Sequence, residues 1–294
     1  MKIQSIFILF NAILVIFIVL IGFFPTLILG ADMASFFWRN NWFLLLVFVF
    51  ILAAFDVFYF SHRRLYSLLE KEDWPALAHY LEDKIFRQGK YSKRLVRLLA
   101  NSYIILSDSS AVINLESKAS IVKASLVDDN VLVFGTAMIL GKDFPGAVRF
   151  FEARLGTVKP ALRIWVAWYF AFSLLLNRQY EKARVEFSRL VLASDDEVIT
   201  GLSAFILANT IMKALPEYKL VLESITIDGR NKALKALPQE KDWEREIGRI
   251  KTEVHALVLS KILLETGQWL YEGLTGASSE ASDEPKKKTM RLDV

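Results

Sequence analysis

Two long apolar stretches open the chain. From Ile3 to Leu29 the only polar side chains are Gln4, Ser5, Asn11 and Thr26, and from Trp42 to Phe60 the only charged one is Asp56. A helix needs about 20 apolar residues to cross the hydrocarbon of a bilayer. Both stretches therefore predict spans, and residues 1–61 predict a transmembrane helical hairpin. A cleaved leader is the rival reading of the first stretch, but its apolar run is overlong, and Ile28 and Leu29 stand where a small residue belongs. The connection "GADMASFFWRNNW" reads as a loop, with Phe36, Phe37, Trp38 and Trp42 suited to the interfacial aromatic belt. A later apolar run, Ile164 to Leu176, spans only about 20 Å of helix, too short for a bilayer, and predicts a buried helix.

Beyond the hairpin the pattern repeats itself. "EDWPALAHYLEDKI" from Glu72 is echoed by "KDFPGAVRFFEARL" from Lys142, with Asp73, Trp74 and Pro75 matching Asp143, Phe144 and Pro145. Further copies begin near residues 108 and 179, a spacing of 35 or 36, and a weaker one follows from Leu215. Such a period signals stacked units, none of which hides its apolar face alone. Each unit reads as two helices. In the best copy Val131, Phe134, Gly135 and Met138 line the first helix, Gly135 permits close approach and Gly141 ends it. Asp143 then caps the second helix, Pro145 sits in its first turn, and Ala147, Phe150 and Phe151 continue the inward face. Asp128–Asp129 and Asp195–Asp196–Glu197 read as caps, with Ser194 and Glu197 as a capping box.

These positions resemble the tetratricopeptide repeat: Val131, Phe134, Gly135, Met138, Ala147 and Phe151 in one copy, with Pro160 nearly in register, and Ala167, Phe170, Ala171, Leu174, Ala183 and Phe187 in the next. The pattern departs from the family where its tryptophan is Val or Ala and where Arg154 replaces a small residue. The resemblance implies an all-α fold, with a solenoid over residues 62–228 whose first helices line a groove. It would turn Trp165, Trp168 and Phe172 toward that groove as partner-binding anchors. Arg97 and Asn101, four apart, match half of the family's carboxylate clamp, while Leu132 and Thr136 stand where the other half belongs. Aromatic side chains filling the core between helices are the competing reading of the groove set.

The period is lost after residue 225. "DGRNKALKALPQEKDW" reads as a loop with a short helix. Residues from Asp242 to Leu274 then predict one long amphipathic helix, striped by Ile247, Ile250, Val254, Val258 and Ile262, so that 229–274 cap the array. Residues 275–294 are small, polar and charged and predict a disordered tail.

Composition narrows the function. Of 294 residues 54% are hydrophobic, more than an ordinary soluble domain carries. Net charge is only +4, too little for a nucleic-acid partner. With no cysteine and three histidines, thiolate chemistry is excluded and little remains for metal or acid–base work, so no enzyme activity, cofactor or metal is expected. Basic residues follow the second span (His62, Arg63, Arg64), while the connection holds Arg39 alone, so both termini and the repeats are expected in the cytoplasm at the inner membrane. Asn11 and Asp56 fall at similar depth in an antiparallel hairpin and predict an intramembrane hydrogen bond. The basic run from Lys84 to Arg97 is a candidate contact for anionic lipid. Together these point to a membrane-anchored scaffold recruiting a protein partner. A structural subunit of a secretion, motor or transport assembly, or a regulator of an envelope-building enzyme, are the alternatives.

Overall fold

A computed structural model describes residues 3–272, apart from the side chains of Ile3, Gln4, Leu29, residues 31–34 and Leu45. Lys2 and the tail expected from residue 275 lie outside the described residues. Every regular element described is helical. The chain divides after Gly89 into two compact units.

The first unit begins with α1 (Ile3–Asn41) and α2 (Phe43–Glu70). α1 reverses at Gly30, whose φ of 80° and ψ of 167° leave the helical region. The expected loop is therefore helical: residues after Gly30 turn back, and the Trp38 indole N–H donates to the Gly22 carbonyl at 3.1 Å. Phe7, Asn11, Leu14 and Ile18 form the less exposed face of α1, against Phe48, Leu52, Asp56 and Tyr59 of α2. Phe7 stacks on Tyr59 at 3.6 Å, Phe10 meets Phe55 at 4.7 Å and Phe17 meets Phe48 at 6.2 Å, an antiparallel pairing. Within it Asn11 Nδ2 donates to Asp56 Oδ1 at 3.1 Å. The remaining faces are bare, Leu27 being 78% exposed, Phe50 75% and Val57 70%. Ser5–Ile28 and Leu46–Glu70 are long and apolar enough to cross a membrane. A third such stretch, Glu197–Ala214, is more than half buried by other helices and belongs to the core of the second unit.

α2 runs through residue 61 without a break and turns directly into α3 (Trp74–Glu82), which a π-helical turn extends to Arg87. The same corner recurs in the second unit, joining α4 (Lys93–Ile105) to α5 (Ser109–Val122), α7 (Val131–Leu140) to α8 (Phe144–Glu152), and α9 (Pro160–Leu176) to α10 (Tyr180–Ala193); the short α6 (Ala124–Asp128) precedes α7. At each corner one non-glycine residue takes a positive φ: Glu72 at 53°, Ser107 at 60°, Lys142 at 60° and Arg178 at 58°. The next N–H then reaches back five residues, from Asp73 to Leu68 O, Asp108 to Tyr103 O, Asp143 to Met138 O and Gln179 to Leu174 O, all within 2.9–3.2 Å. This pattern closes the carbonyls a helix end leaves open. The aspartates cap the helix that follows, accepting from Ala76, Ala111 and Gly146 N–H at 2.9–3.1 Å, while Gln179 makes no side-chain cap. Gly141 keeps right-handed geometry; Lys142, not the glycine, makes the left-handed turn. A Cβ on Gly141 would lie 3.1 Å from Ser109 Cβ, and one on Gly135 would fall 2.0 Å from the Phe151 ring. Close approach explains both.

In the second unit each helix from α4 to α11 (Glu197–Ile206) packs on its successor, and α4, α7, α9 and α11 also contact one another in turn. Arg154, at the position where the repeat pattern wants a small residue, reaches from the end of α8 to Glu116 of α5 at 2.8 Å, its guanidinium 3.8 Å from the Phe150 ring centre. Burial pushes the Glu116 carboxyl up, with Arg154 opposing. The expected capping roles shift nearby. Asp129 pairs with Lys159 and Lys93, Asn130 stands at the cap of α7, and Asp196, not Ser194, caps α11 by accepting from Ile199 N–H at 2.8 Å.

The C-terminal region departs most from expectation. After a π turn (Leu207–Ile211), the three-residue α12 (Met212–Ala214) and a 3-10 turn, α13 (Lys219–Ala236) runs unbroken from the weak repeat copy into the stretch expected as a loop with a short helix. It packs on α10 and α11, where a Cβ on Gly229 would meet Val191 and Ala204. The expected long helix is broken in two, α14 (Glu240–Lys251) and α15 (Ser260–Tyr271), by a 3-10 segment, Val254–Leu259. Trp243 of α14, 1% exposed, donates its indole N–H to Leu263 O at 3.2 Å and lies against Gly267. This segment does not simply close the end of the array. α15 packs on α11 and the 3-10 segment packs on α7, across the first-helix face.

Candidate functional site

The first-helix face narrows to a cleft of about 400 Å³. α4 contributes Arg97, the start of α7 contributes Asp129 to Val133, α9 contributes Trp165, and the returning C-terminal chain contributes Arg249, Glu253 and His255. Local structure holds each in place. Arg97 donates to Asn130 Oδ1 and to the Asp129 carbonyl, both at 3.2 Å, while buried Asn130 donates to Leu126 O at 2.8 Å. Asp129 accepts from Lys159 at 2.6 Å with Lys93 at 3.5 Å. The Lys159 hydrogen bond, chiefly, holds that carboxyl below the ordinary range.

His255 closes the cleft floor. The Tyr169 hydroxyl donates to the His255 carbonyl at 2.8 Å and lies 3.0 Å from Nδ1, so a neutral ring with its proton on Nδ1 satisfies both groups. Burial, with the Arg97 charge adding to it, pushes the imidazole down to about 4, and burial pushes the Tyr169 phenol up. The Trp165 ring, half-buried, stands edge-on to His255 at 5.9 Å. The arrangement offers an indole, an apolar wall and charges of both signs, a lining of mixed polar and apolar chemistry.

Of the anchors named from sequence, Trp165 and Arg97 line this cleft. Trp168 and Phe172 do not: they are 0% and 7% exposed, stack on each other, and Trp168 meets Phe187 of α10 edge-on. On α9 the groove-facing row is Ala161, Trp165 and Tyr169, spaced by four; Trp168 and Phe172 form the adjoining row that faces inward. Asn101 is not part of the cleft lining, and its Oδ1 is buried without a hydrogen-bond partner among the described residues. Sequence reasoning missed His255, Arg249 and Glu253, because nothing in the local pattern says that the C-terminal chain folds back here. It missed Asn130 because the adjacent aspartates look like the cap.

The family described as "Uncharacterised Treponema protein" matches residues 111–272, from α5 to the end of α15. An "Uncharacterized protein" of Treponema pallidum (strain Nichols) is 27% identical over 279 residues, covering 92% of this chain and 88% of its own. An alignment of that length reaches into the N-terminal hairpin as well as the helical array. No solved structure matches. With more than half its length inside the family match, including every returning helix that closes the cleft, the chain belongs to the family of uncharacterised Treponema proteins.

Proposed function

We propose that the protein is a non-enzymatic, membrane-anchored scaffold: α1 and the apolar part of α2 form a transmembrane hairpin, and the helices beyond form a tetratricopeptide-like solenoid that recruits a protein partner at the cytoplasmic face. The observation that carries this reading is the bare apolar surface of the hairpin, which leads without a linker into the first of four like corners. Lipid is the solvent such a surface requires. The corners recur at intervals of 35 or 36 residues and each helix from α4 to α11 packs on its successor, as in a stacked array, with the C-terminal chain folding back onto α7 and α11. His62, Arg63 and Arg64 after the second span favour the cytoplasmic side for the array. Tethering raises the effective concentration of partner and scaffold, so a modest cleft suffices.

The docking surface in this reading is the cleft around Trp165 and Arg97. A photocrosslinking residue in place of Trp165, in intact cells, is expected to capture a protein in the membrane fraction, whereas the same residue in place of buried Trp168 is not. Absence of any protein adduct at 165 would overturn recruitment through this cleft. Purification in mild detergent separates the alternatives: stoichiometric membrane partners indicate a subunit of a larger assembly, soluble ones a recruiter.

A further inference from the structure

A second groove, of about 380 Å³, lies along α2 and is lined by Phe60, Arg63, Arg64, Ser67 and Leu68. Arg63 and Arg64 are exposed, and among the described residues neither has a carboxylate within ion-pair distance. The Arg64 guanidinium lies 5.3 Å from the centre of the Tyr80 ring, and Lys84 Nζ lies 5.6 Å from the same centre. Lys84 likewise has no acid partner among the described residues. Two cations thus approach one ring, and neither is ion-paired among the described residues. Of the rest of the basic run, Arg87 pairs with Asp83, Lys93 with Asp129, and Arg97 bonds Asn130, while Lys90 and Arg94 are exposed and are not part of this groove's lining.

The place of these cations on the helix specifies the anion. Phe60, 62% exposed, ends the apolar run one turn before them, about 5 Å along the axis. Ser67, four residues after Arg63, adds a hydroxyl on the same face. The site therefore asks for phosphate and hydrocarbon within one helical turn of each other. A free phosphate would satisfy the arginines and leave Phe60 in water; a phospholipid supplies both.

We propose that this groove binds the headgroup phosphate of an anionic phospholipid, with Arg63 and Arg64 as the phosphate ligands, Tyr80 holding Arg64 in place, Lys84 adding charge and Phe60 lying against the acyl chains. Guanidinium forks suit phosphate oxygens better than ammonium groups do. The inference rests on the transmembrane reading of the hairpin and names the lipid that the hairpin selects.

The test is native mass spectrometry of the full chain in detergent with equimolar phosphatidylglycerol and phosphatidylcholine, run beside carbonate extraction of membranes from expressing cells. Retention of phosphatidylglycerol is expected to exceed that of phosphatidylcholine, by about fivefold for each arginine. The ratio should fall to near parity in R63Q/R64Q and by an intermediate amount in Tyr80→Leu, with carbonate resistance kept throughout. Equal retention of the two lipids by the wild-type chain, with carbonate resistance intact, would overturn the lipid site and leave the anchor standing. Displacement of bound phosphatidylglycerol by millimolar inorganic phosphate would assign the arginines to a soluble anion and also overturn it. Release of the wild-type chain by carbonate would remove the anchor, and the site with it.

Discussion

The four corners place an L-residue where glycine is cheapest. A left-handed conformation costs an ordinary side chain about 1–2 kcal/mol, and a β-branched one more. Lys142 is a clean case, because its neighbour Gly141 is needed for packing against Ser109 and not for the turn. Lys142→Gly is expected to raise the thermal midpoint, with a gain of up to about 1 kcal/mol. Lys142→Val is expected to lower stability by a similar or larger amount. Both follow from circular dichroism melts of the detergent-solubilised chain, and a glycine variant less stable than wild type would contradict the geometry. These corners were half legible in the sequence. The aspartates and prolines announce where a helix starts, since capping chemistry is local. The residue just before carries no signal when it is Glu, Ser, Lys or Arg, because at that place the fold overrides the preference of the residue.

Between elements, the Arg154–Glu116 pair ties α8 to α5 across one unit of the array. Both side chains are largely shielded, at 19% and 14% exposure, so removing one strands the other. Arg154→Met is expected to cost about 2 kcal/mol, less than a fully buried pair loses. Glu116→Leu should do likewise, and the double variant should recover a substantial part of the sum, as a double-mutant cycle on unfolding free energy measures. Additive losses would show that the pair does not act as a unit. The position read from sequence as a flaw in the repeat is thus an ionic clamp. At the same scale the helical period misled at the C-terminus. The stripe Ile250, Val254, Val258 and Ile262 runs on through Thr252 and Glu253, yet those four are only half-buried, and the core positions are Ile247, Ala256, Leu259 and Leu263. A bend that keeps an apolar side inward leaves the period almost unchanged, so periodicity does not register it.

For the second unit, the lock between the returning chain and the array is His255 on Tyr169. The imidazole stays neutral down to about pH 4 when folded, against an ordinary value of 6.5. Above pH 6.5 both folded and unfolded chains hold it neutral, and stability is unaffected. As pH falls from 6.5 toward 4 only the unfolded chain takes up the proton, so stability drops, by roughly 3 kcal/mol once the full window is crossed. Melts of wild type and His255→Asn between pH 7.5 and 4.5 test this. The asparagine keeps a donor near the Tyr169 oxygen and removes the titration, so its melting point should vary less over that window. Equal slopes would dismiss His255 as the cause. The all-helical class and the two apolar spans were legible because they rest on composition and period. The closed groove was not, since a contact between Tyr169 and His255 leaves no trace in either neighbourhood.

That contact also sets an order of events on the ribosome. α9 is complete at Leu176, yet the residue that covers its tyrosine is number 255, about 80 codons later. At common elongation rates the nascent chain presents Trp165 and Tyr169 bare for roughly 4–16 s. During translation, then, the aromatic wall stays open until residue 255 has been made and can fold back over it.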